Sequence, residues 1–415
     1  LNPRQLLFVN QHYHPDVAAT GQHLTDLAEY LVGSGYGVEV WCSRSSYVEG
    51  QLDASEREVR NGVHVRRFRT PVFSRRTKVG RLTTYFVFYV QVACRLLLGR
   101  SRPYVVFLTT PPLLPFLGYL YREFRRQKYA IWSMDLHPEA EIASGMLEAG
   151  STPSLVIHRL SDAGYVNATF VVELGRCMRE RILARGVDAA RLHRISIWID
   201  TDEVQPVPHA DNPLRPQLGI GEEKVITYAG NAGIAHRFEE LCGAIEALSE
   251  DQAVRFIFVG DGPRRKQIED YVRARRLRNF EYLDYFPRSQ LRYSLGFPDI
   301  HIVTLRTAFS GVAVPAKLYG IMAAGRPVLF IGPTDCETAD VIREVGCGAV
   351  VDPDHDPDCI ESIAALLRRW ALNADLRSEV GRRGRVAVVE RYSRQTCCAE
   401  FEHVITRWWN GPLPS

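Results

Sequence analysis

The run FSGVAVPAKLYGIMAAGRPVLFIGP at 309–333 constrains the fold more than any other stretch of the chain. Ser310, Gly311, Ala313 and Pro315 are small residues and turn formers, and they predict a loop. A short helix is expected over roughly 317–324, with Gly325 in the C-terminal position where glycine is favoured. The apolar run from Pro327 to Gly332 is bounded by turn residues, as expected of a strand buried in a parallel sheet. Loop, helix, stop and buried strand in that order suit an α/β domain. A helix start behind such a loop also offers unpaired N–H groups to an anion. Lys317 stands at that start, where the helix dipole alone favours an acid. A bound anion would account for it, and an ordinary surface lysine is the plain alternative.

The chain has 415 residues, enough for two domains with a core each. Its hydrophobic fraction of 46% and charged fraction of 24% are those of a soluble globular protein, and a net charge of +3 points to no partner class. Nine scattered cysteines without a C-x-x-C pair argue for reduced thiols in a cytoplasm, not for a disulfide framework or a zinc site. The opening apolar run at 5–10 is too short for a signal core and reads as a first strand.

The first half reads as one doubly wound domain. A strand at 6–9 and a long loop at 10–21 lead to a helix expected over about 22–32, then a strand at 38–42. Between residues 60 and 128 stand fifteen Lys and Arg against one acid, Glu123. Two apolar runs, 82–98 and 104–121, are interleaved with these bases. Arg95 interrupts the first run, and Pro111, Pro112 and Pro115 interrupt the second, so neither reads as a membrane span. A basic, aromatic-rich face lying on an anionic membrane surface is one reading, and core elements with a solvated arginine fringe is the other. No nucleic-acid module accompanies the charge. A strand at 129–134 ends in Asp135-Leu-His-Pro-Glu139, at the sheet edge where open α/β folds bind ligands.

Prolines at 206, 208, 213 and 216 mark a boundary. The second half opens with a strand at 224–229, the loop Gly230-Asn-Ala-Gly233 and a helix from about His236. Gly230 and Gly233 permit the close backbone approach a diphosphate needs. The run 254–262, VRFIFVGDG, reads as another buried strand ending in a glycine turn that includes Gly260, and helices are expected over 360–370, 379–392 and 400–409. Asp352-Pro-Asp354 mimics a D-x-D metal motif, but its proline and loop position argue against it, and no metal is assigned.

The P-A-K-L-Y-G-I-M-A-A-G-R-P-V run resembles the donor-site signature of the retaining, nucleotide-sugar-dependent glycosyltransferase family four, of GT-B fold. More narrowly it resembles bacterial members that build exopolysaccharide and O-antigen units. The resemblance covers nearly the whole chain and is more specific in the second half. It implies an α/β protein of two Rossmann-like domains facing each other across a cleft. Residues 1–200 would form the acceptor side, with 389–415 packing back on it through Trp408 and Trp409, and 201–388 would bind the donor.

The resemblance also implies roles. Lys317, Leu318, Tyr319, Ser310, Gly311, Gly230, Gly233 and Gly260 would contact a UDP- or GDP-type sugar, with Tyr285 or Phe286 at the base. Asn231 and His236 fall where the family carries an arginine and a lysine for the diphosphate. Arg237, Arg306 and Lys317 are candidates to replace those charges, while Asn231 and His236 are expected to donate hydrogen bonds. The family's two donor-loop glutamates align near Ser310 and at Gly320, so Glu337 is the candidate for the donor hydroxyls. Thr20 and Gly21 would let backbone approach donor or acceptor, with Gln22 and Tyr13 as polar contacts. Asp135 or His137 would orient the acceptor hydroxyl or take part of its proton.

The expected activity is metal-independent sugar transfer, with retention, to a saccharide or polyprenyl-linked acceptor at the inner membrane face. Two alternatives remain at this point: a nucleotide-sugar epimerase, and a non-catalytic partner subunit, the latter suggested by the missing glutamates and arginine–lysine pair.

Overall fold

The computed structural model describes residues 4–45, 54–71, 78–102 and 104–410. Arg75 and Arg76 of the basic segment lie outside these residues, as do the side chains of Lys78 and Arg81. The chain divides into two compact units, Leu1–Ser196 with Gly311–Ala313 and Cys397–Ser415, and Ile197–Ser310 with Val314–Thr396.

The first unit contains β1 (Gln5–Val9), α1 (Ala19–Gly33), β2 (Gly37–Ser43), β3 (Arg57–Arg60), β4 (Val63–Phe68), α2 (Lys78–Leu98), β5 (Val105–Leu108) and α3 (Leu114–Arg125). It continues with β6 (Tyr129–Trp132), α4 (Glu139–Ala143), α5 (Thr152–Val166), β7 (Val171–Glu173), α6 (Arg176–Ala184) and β8 (Leu192–Arg194). Its eight strands run in the order β3-β4-β2-β1-β5-β6-β7-β8, and only the β3–β4 pair is antiparallel. β5 and β6 are buried at every position because helices cover both faces of a parallel sheet. β3, Arg-Glu-Val-Arg, alternates exposed and half-buried residues at the sheet's edge.

The second unit contains α7 (Leu214–Gln217), β9 (Lys224–Ala229), α8 (Glu239–Ala247), β10 (Val254–Val259), α9 (Arg265–Arg275), β11 (Phe280–Leu283), α10 (Leu291–Gly296), β12 (Ile300–Thr304) and α11 (Lys317–Ala323). After these come β13 (Val328–Ile331), α12 (Glu337–Val345), β14 (Gly348–Val351), α13 (Cys359–Leu372) and α14 (Ala374–Arg391), while the final α15 (Arg394–Asn410) belongs from Cys397 onward to the first unit. The sheet order is β11-β10-β9-β12-β13-β14, all parallel. Successive strand residues point to opposite faces. Ile226 and Tyr228 of β9, with Phe256 and Phe258 of β10, therefore pack with Ile363, Leu367 and Trp370 of α13 on one face. Val225, Ile257 and Val259 pack with Leu214 and Phe297 on the other.

In this sheet the chain runs outward from β9 through β10 to β11, then returns to pair β12 beside β9. The strand order thus reverses between β9 and β12, and the loops leaving their C-terminal ends part there. That opening is where doubly wound sheets bind ligands.

α1 begins at Ala19, three residues before the expected start, so Thr20 and Gly21 belong to its first turn and not to the loop. Gly21 lets that turn lie on the backbone of His12 and Tyr13, 3.1 Å from where a Cβ would stand. α8 begins at Glu239, later than the expected His236. α14 begins at Ala374, earlier than expected, because the Asn373 side chain caps it by accepting from Leu376 N at 2.9 Å. The last helix starts at Arg394. In the first unit, Trp408 packs edge-on against Tyr104 and Phe170, Trp409 stacks on Tyr104, and Phe401 meets Trp132. Among the described residues no helix is long and apolar enough to cross a membrane.

A paired glycine test follows from this packing. A Cβ on Gly381 of α14 would lie 2.0 Å from the carbonyl oxygen of Gly325, which is backbone and cannot swing aside. Gly381→Ala is expected to cost about 1–3 kcal/mol, as overpacking does. Gly33, at the end of α1, has nothing within 4 Å of a Cβ, and Gly33→Ala is expected to stabilise by about 0.4–1 kcal/mol. Urea unfolding midpoints of the two variants check both signs.

Candidate active site

In the second unit, two backbone turns and one lysine come together beside the opening between β9 and β12. Gly230 follows β9 with φ +134°, and Gly260 follows β10 with φ +141°. A Cβ on Gly260 would stand 2.2 Å from Gly230 O, and one on Gly230 would stand 2.9 Å from Lys317 Nζ. Gly262, φ +144°, comes as close to Asn231 Oδ1 and the Ala232 backbone. A side chain at Gly260 or Gly262 would run into the turn after β9, and one at Gly230 would displace the lysine, so at Gly230 the backbone itself faces the lysine.

Lys317 opens α11 and is half-buried. Its Nζ lies 3.9 Å above the centre of the Tyr228 ring and donates to the Tyr228 hydroxyl. That hydroxyl in turn donates to Asn231 O at 2.9 Å, holding the Gly230–Gly233 turn. Burial keeps the Tyr228 phenol well above its ordinary value, so it remains a donor. Among the described residues Lys317 forms no ion pair. Burial alone pulls its ammonium down to about 7. A cation so placed gains from an anion that brings charge without water.

The amides of α11 contribute less than expected. Leu318 N and Tyr319 N bond to Pro315 O and Ala316 O in tight turns. The Leu318 and Tyr319 side chains are buried in the core, Tyr319 against Tyr392, so neither faces a ligand.

His236 is neutral and carries its proton on Nδ1, which donates to Thr304 O at 2.6 Å. Burial and then the nearby Lys317 pull it down to about 3. Its Nε2 is therefore an acceptor, which corrects the expectation that His236 donates to a phosphate: it suits a hydroxyl. Arg237 is corrected as well. Its guanidinium is engaged with Glu240 and with Asp354 at 3.1 Å, so its charge is already matched. Arg306 is exposed, with its backbone N–H on Ala235 O. Asn231 is exposed at the turn, and Gly233 lies beside it.

Tyr285 is 55% exposed, and its ring edge lies 3.3 Å from a Cβ built on Gly260. Phe286 packs inward against Phe297, leaving Tyr285 as the aromatic at this edge. Ser310 donates to Asp335 O, and Glu337 is buried at the first position of α12. Among the described residues no three His, Cys, Asp or Glu stand together as a metal-ligand set.

The first unit holds two histidine–carboxylate pairs. Asp135 and His137 follow β6, and His137 Nδ1 bonds Glu141 at 2.8 Å, one helical turn on. The backbone here is fixed by Thr109 Oγ1, which accepts from Met134 N and Asp135 N, and by Ser161 and Arg185, which donate to His137 O. Burial pulls the His137 imidazole down, but the Glu141 hydrogen bond and charge outweigh it and leave it above its ordinary value. Burial raises the Asp135 carboxyl.

The second pair, His12 Nδ1 to Asp16 Oδ2 at 2.6 Å, lies under the start of α1 beside Gly21 and Thr20. Tyr13 is fully buried there and is not a surface contact, a correction to the expected acceptor set, while Gln22 donates to Val17 O. Gly311, φ +67°, packs on the Cys177 backbone, and Val312 O accepts from Leu136 N. Glu141, Asp16 and Tyr228 were missed by sequence reasoning. The only signal was the i, i+4 spacing of His with an acid.

The Lys317 titration has a checkable consequence. Its folded value lies below its unfolded one, so its charge opposes folding below pH 7, and the penalty fades as pH rises from about 7 towards the unfolded value. Lys317→Met is expected to raise the urea midpoint at pH 6 and to lose most of that advantage by pH 10.

Two family models match the chain: the glycosyl transferase 4-like domain over residues 19–198, and the glycosyl transferases group 1 domain over residues 211–386. The chain is 28% identical over 280 residues to WbjE of Pseudomonas aeruginosa, described as a glycosyltransferase, covering 66% of this chain and 67% of that one. It is 23% identical over 385 residues to WcaI of Escherichia coli K12, a glycosyl transferase assigned to colanic acid biosynthesis, covering 89% and 92%. The structure of Anabaena HepE in complex with UDP superposes with a TM-score of 0.72 at 12% identity, over 97% of this chain and 99% of that one. The two matched domains account for most of the sequence, and the chain belongs to the GT-B glycosyltransferases.

Proposed function

We propose that this enzyme transfers a sugar, with retention, from a nucleotide diphosphate sugar to a saccharide or polyprenyl-linked acceptor in bacterial surface polysaccharide synthesis. The observation that carries the reading is Lys317: a half-buried ammonium without an ion pair, set by the two turns that carry Gly230, Gly260 and Gly262, beside the reversal of strand order. Leaving-group departure needs charge stabilisation at the diphosphate, and a preorganised, poorly solvated cation supplies it. Tyr228 holds the ammonium in place, and the backbone at the glycines closes on the phosphates. His236 Nε2 accepts a hydroxyl of the donor, and Tyr285 offers a ring face to the base. Asp135 and His137, with Glu141 behind it, serve the acceptor hydroxyl. UDP is the first candidate, because HepE was solved with UDP and with UDP-glucose.

The acceptor reading rests on α2 and its surroundings. Leu82, Phe86, Val90 and Leu98 are 65%, 67%, 42% and 82% exposed at four- and eight-residue intervals, with exposed Cys94 between the last two. They follow one i, i+4 ridge that winds about the helix from Leu82 towards Leu98. At its end a cavity of about 610 Å³ is lined by Arg66, Arg95, Arg100 and Arg102 with Trp41 and Phe68. An apolar ridge edged by guanidinium groups suits the interface of an anionic bilayer.

Two experiments test these halves separately. UDP and GDP titrations should raise the thermal midpoint with one base only, and the rise should vanish in Lys317→Ala. At pH 8 the productive nucleotide should take up close to one proton, because the diphosphate restores the ammonium, and affinity should weaken as pH rises above 7. An unchanged rise in the variant overturns the assignment of Lys317. For the membrane half, the double variant Leu82→Glu, Phe86→Glu should lose co-sedimentation with phosphatidylglycerol vesicles while keeping its nucleotide response. Equal binding by parent and variant would assign the ridge another role.

A further inference from the structure

The second unit carries another cationic cavity, lined by groups distinct from those around Lys317. It has a volume of about 390 Å³, and its lining includes Arg326, Arg377, Arg382, Arg385, His209 and Asp299. Arg382 is matched by Glu379 on its own helix, at 2.9 Å. The other three guanidinium groups are held mainly by carbonyls. Arg326 Nη2 donates to Gly296 O at 2.6 Å and Val207 O at 3.0 Å, while its Nε is buried without a partner. Arg385 donates to Val204 O, Ala323 O and Thr201 O. Arg377 Nη1 donates to Trp370 O and Ala371 O, and its Nη2 stands 3.8 Å from Asp299.

Carbonyls orient a guanidinium but do not neutralise it. Asp299 is the only carboxylate in the lining, and it is shared with Arg215 at 3.3 Å and accepts from Val225 N at 3.0 Å. Three fixed charges therefore face one lining carboxylate that has a fourth arginine to serve, and Asp202, outside the lining, acts on Arg385. The strain shows on the neighbours: burial and then Arg326 pull His209 down to about 4, and burial pulls Arg326 down to about 10. The lining residues come from the chain around 206–209, the turn after α11 and the face of α14. They form a walled recess and not a flat surface.

We propose that this recess is a second anion site, for a phosphate or diphosphate group, held by Arg326, Arg377 and Arg385. Planar guanidinium groups pre-set by carbonyls keep N–H donors in a fixed geometry, which favours tetrahedral oxyanions over a spherical halide. The site is separate from the donor reading and does not rest on it.

Thermal midpoints and calorimetry in the Lys317→Met background test the proposal, since that change removes the other cation. Inorganic phosphate, pyrophosphate and glucose 1-phosphate are compared with sodium chloride of matched ionic strength. The phosphates are expected to raise the midpoint by several degrees, and chloride is not. A larger response to pyrophosphate or glucose 1-phosphate identifies a phosphorylated metabolite as the natural occupant, and an equal response to all three identifies the free ion. Ser378 is exposed at the recess, so Ser378→Glu can be introduced without disturbing the core. It is expected to raise the ligand-free midpoint, by supplying the missing carboxylate, and to abolish the phosphate response, whereas Ser378→Ala keeps that response. A rise with chloride equal to that with phosphate overturns the site, and so does an undiminished phosphate response in Ser378→Glu.

Discussion

An ammonium group that has given up most of its water without gaining a carboxylate is the constraint on which the second unit depends. Lys317 is tolerated there because Tyr228 supplies a ring face and a hydroxyl, and because backbone takes the space that side chains would fill. The parallel sheet makes this arrangement available. Reversal of strand order between β9 and β12 parts the loops that leave them, and the glycines at 230, 260 and 262 let the turn after β9 close onto the turn after β10. The aromatic column below, Tyr228 on Phe258 on Tyr282 at 4.7 and 4.6 Å, fixes Tyr228 across three strands. The position of one cation is thus set by packing from β9 to β11.

The architecture was legible where period and punctuation agree. Apolar runs ended by glycine marked β9, β10 and β13, a short apolar run ahead of a long loop marked β1, and the stop at Gly325 marked the end of α11. The short, charged β3 has no apolar run; its one local signal is the Asn61-Gly62 turn that joins it to β4, and the sequence reading did not use it. The candidate site was legible at Lys317, Gly230, Asp135 and His137, which carry local patterns. Its partners were not. Tyr228 looks like one more core aromatic until the fold brings residue 317 over its ring, 89 positions along the chain. Arg237 looked free for a phosphate because Asp354 lies 117 positions away.

Replacing an arginine and a lysine by Asn231 and His236 changes the character of the site and not only its charge. A guanidinium presents donors whatever surrounds it. A neutral imidazole presents what its other nitrogen leaves over, and here Thr304 O takes the Nδ1 proton. Under the proposed function, recognition of the donor at this position would shift from phosphate towards hydroxyl, and Lys317 would carry a larger share of the diphosphate charge.

The distribution of thiols has a practical side. Cys42, Cys242, Cys336, Cys347 and Cys397 are buried, and burial pushes each thiol up to about 12; Cys177 and Cys398 are buried too, and Cys359 is half-covered with its thiol also raised. Cys94 alone is exposed, in line with Leu82, Phe86, Val90 and Leu98. A maleimide dye or nitroxide added to the native chain goes there first, with no engineered cysteine and none removed. The protein comes with a built-in spectroscopic label position among the exposed apolar residues of α2, where polarity and collisional quenching report what that helix touches.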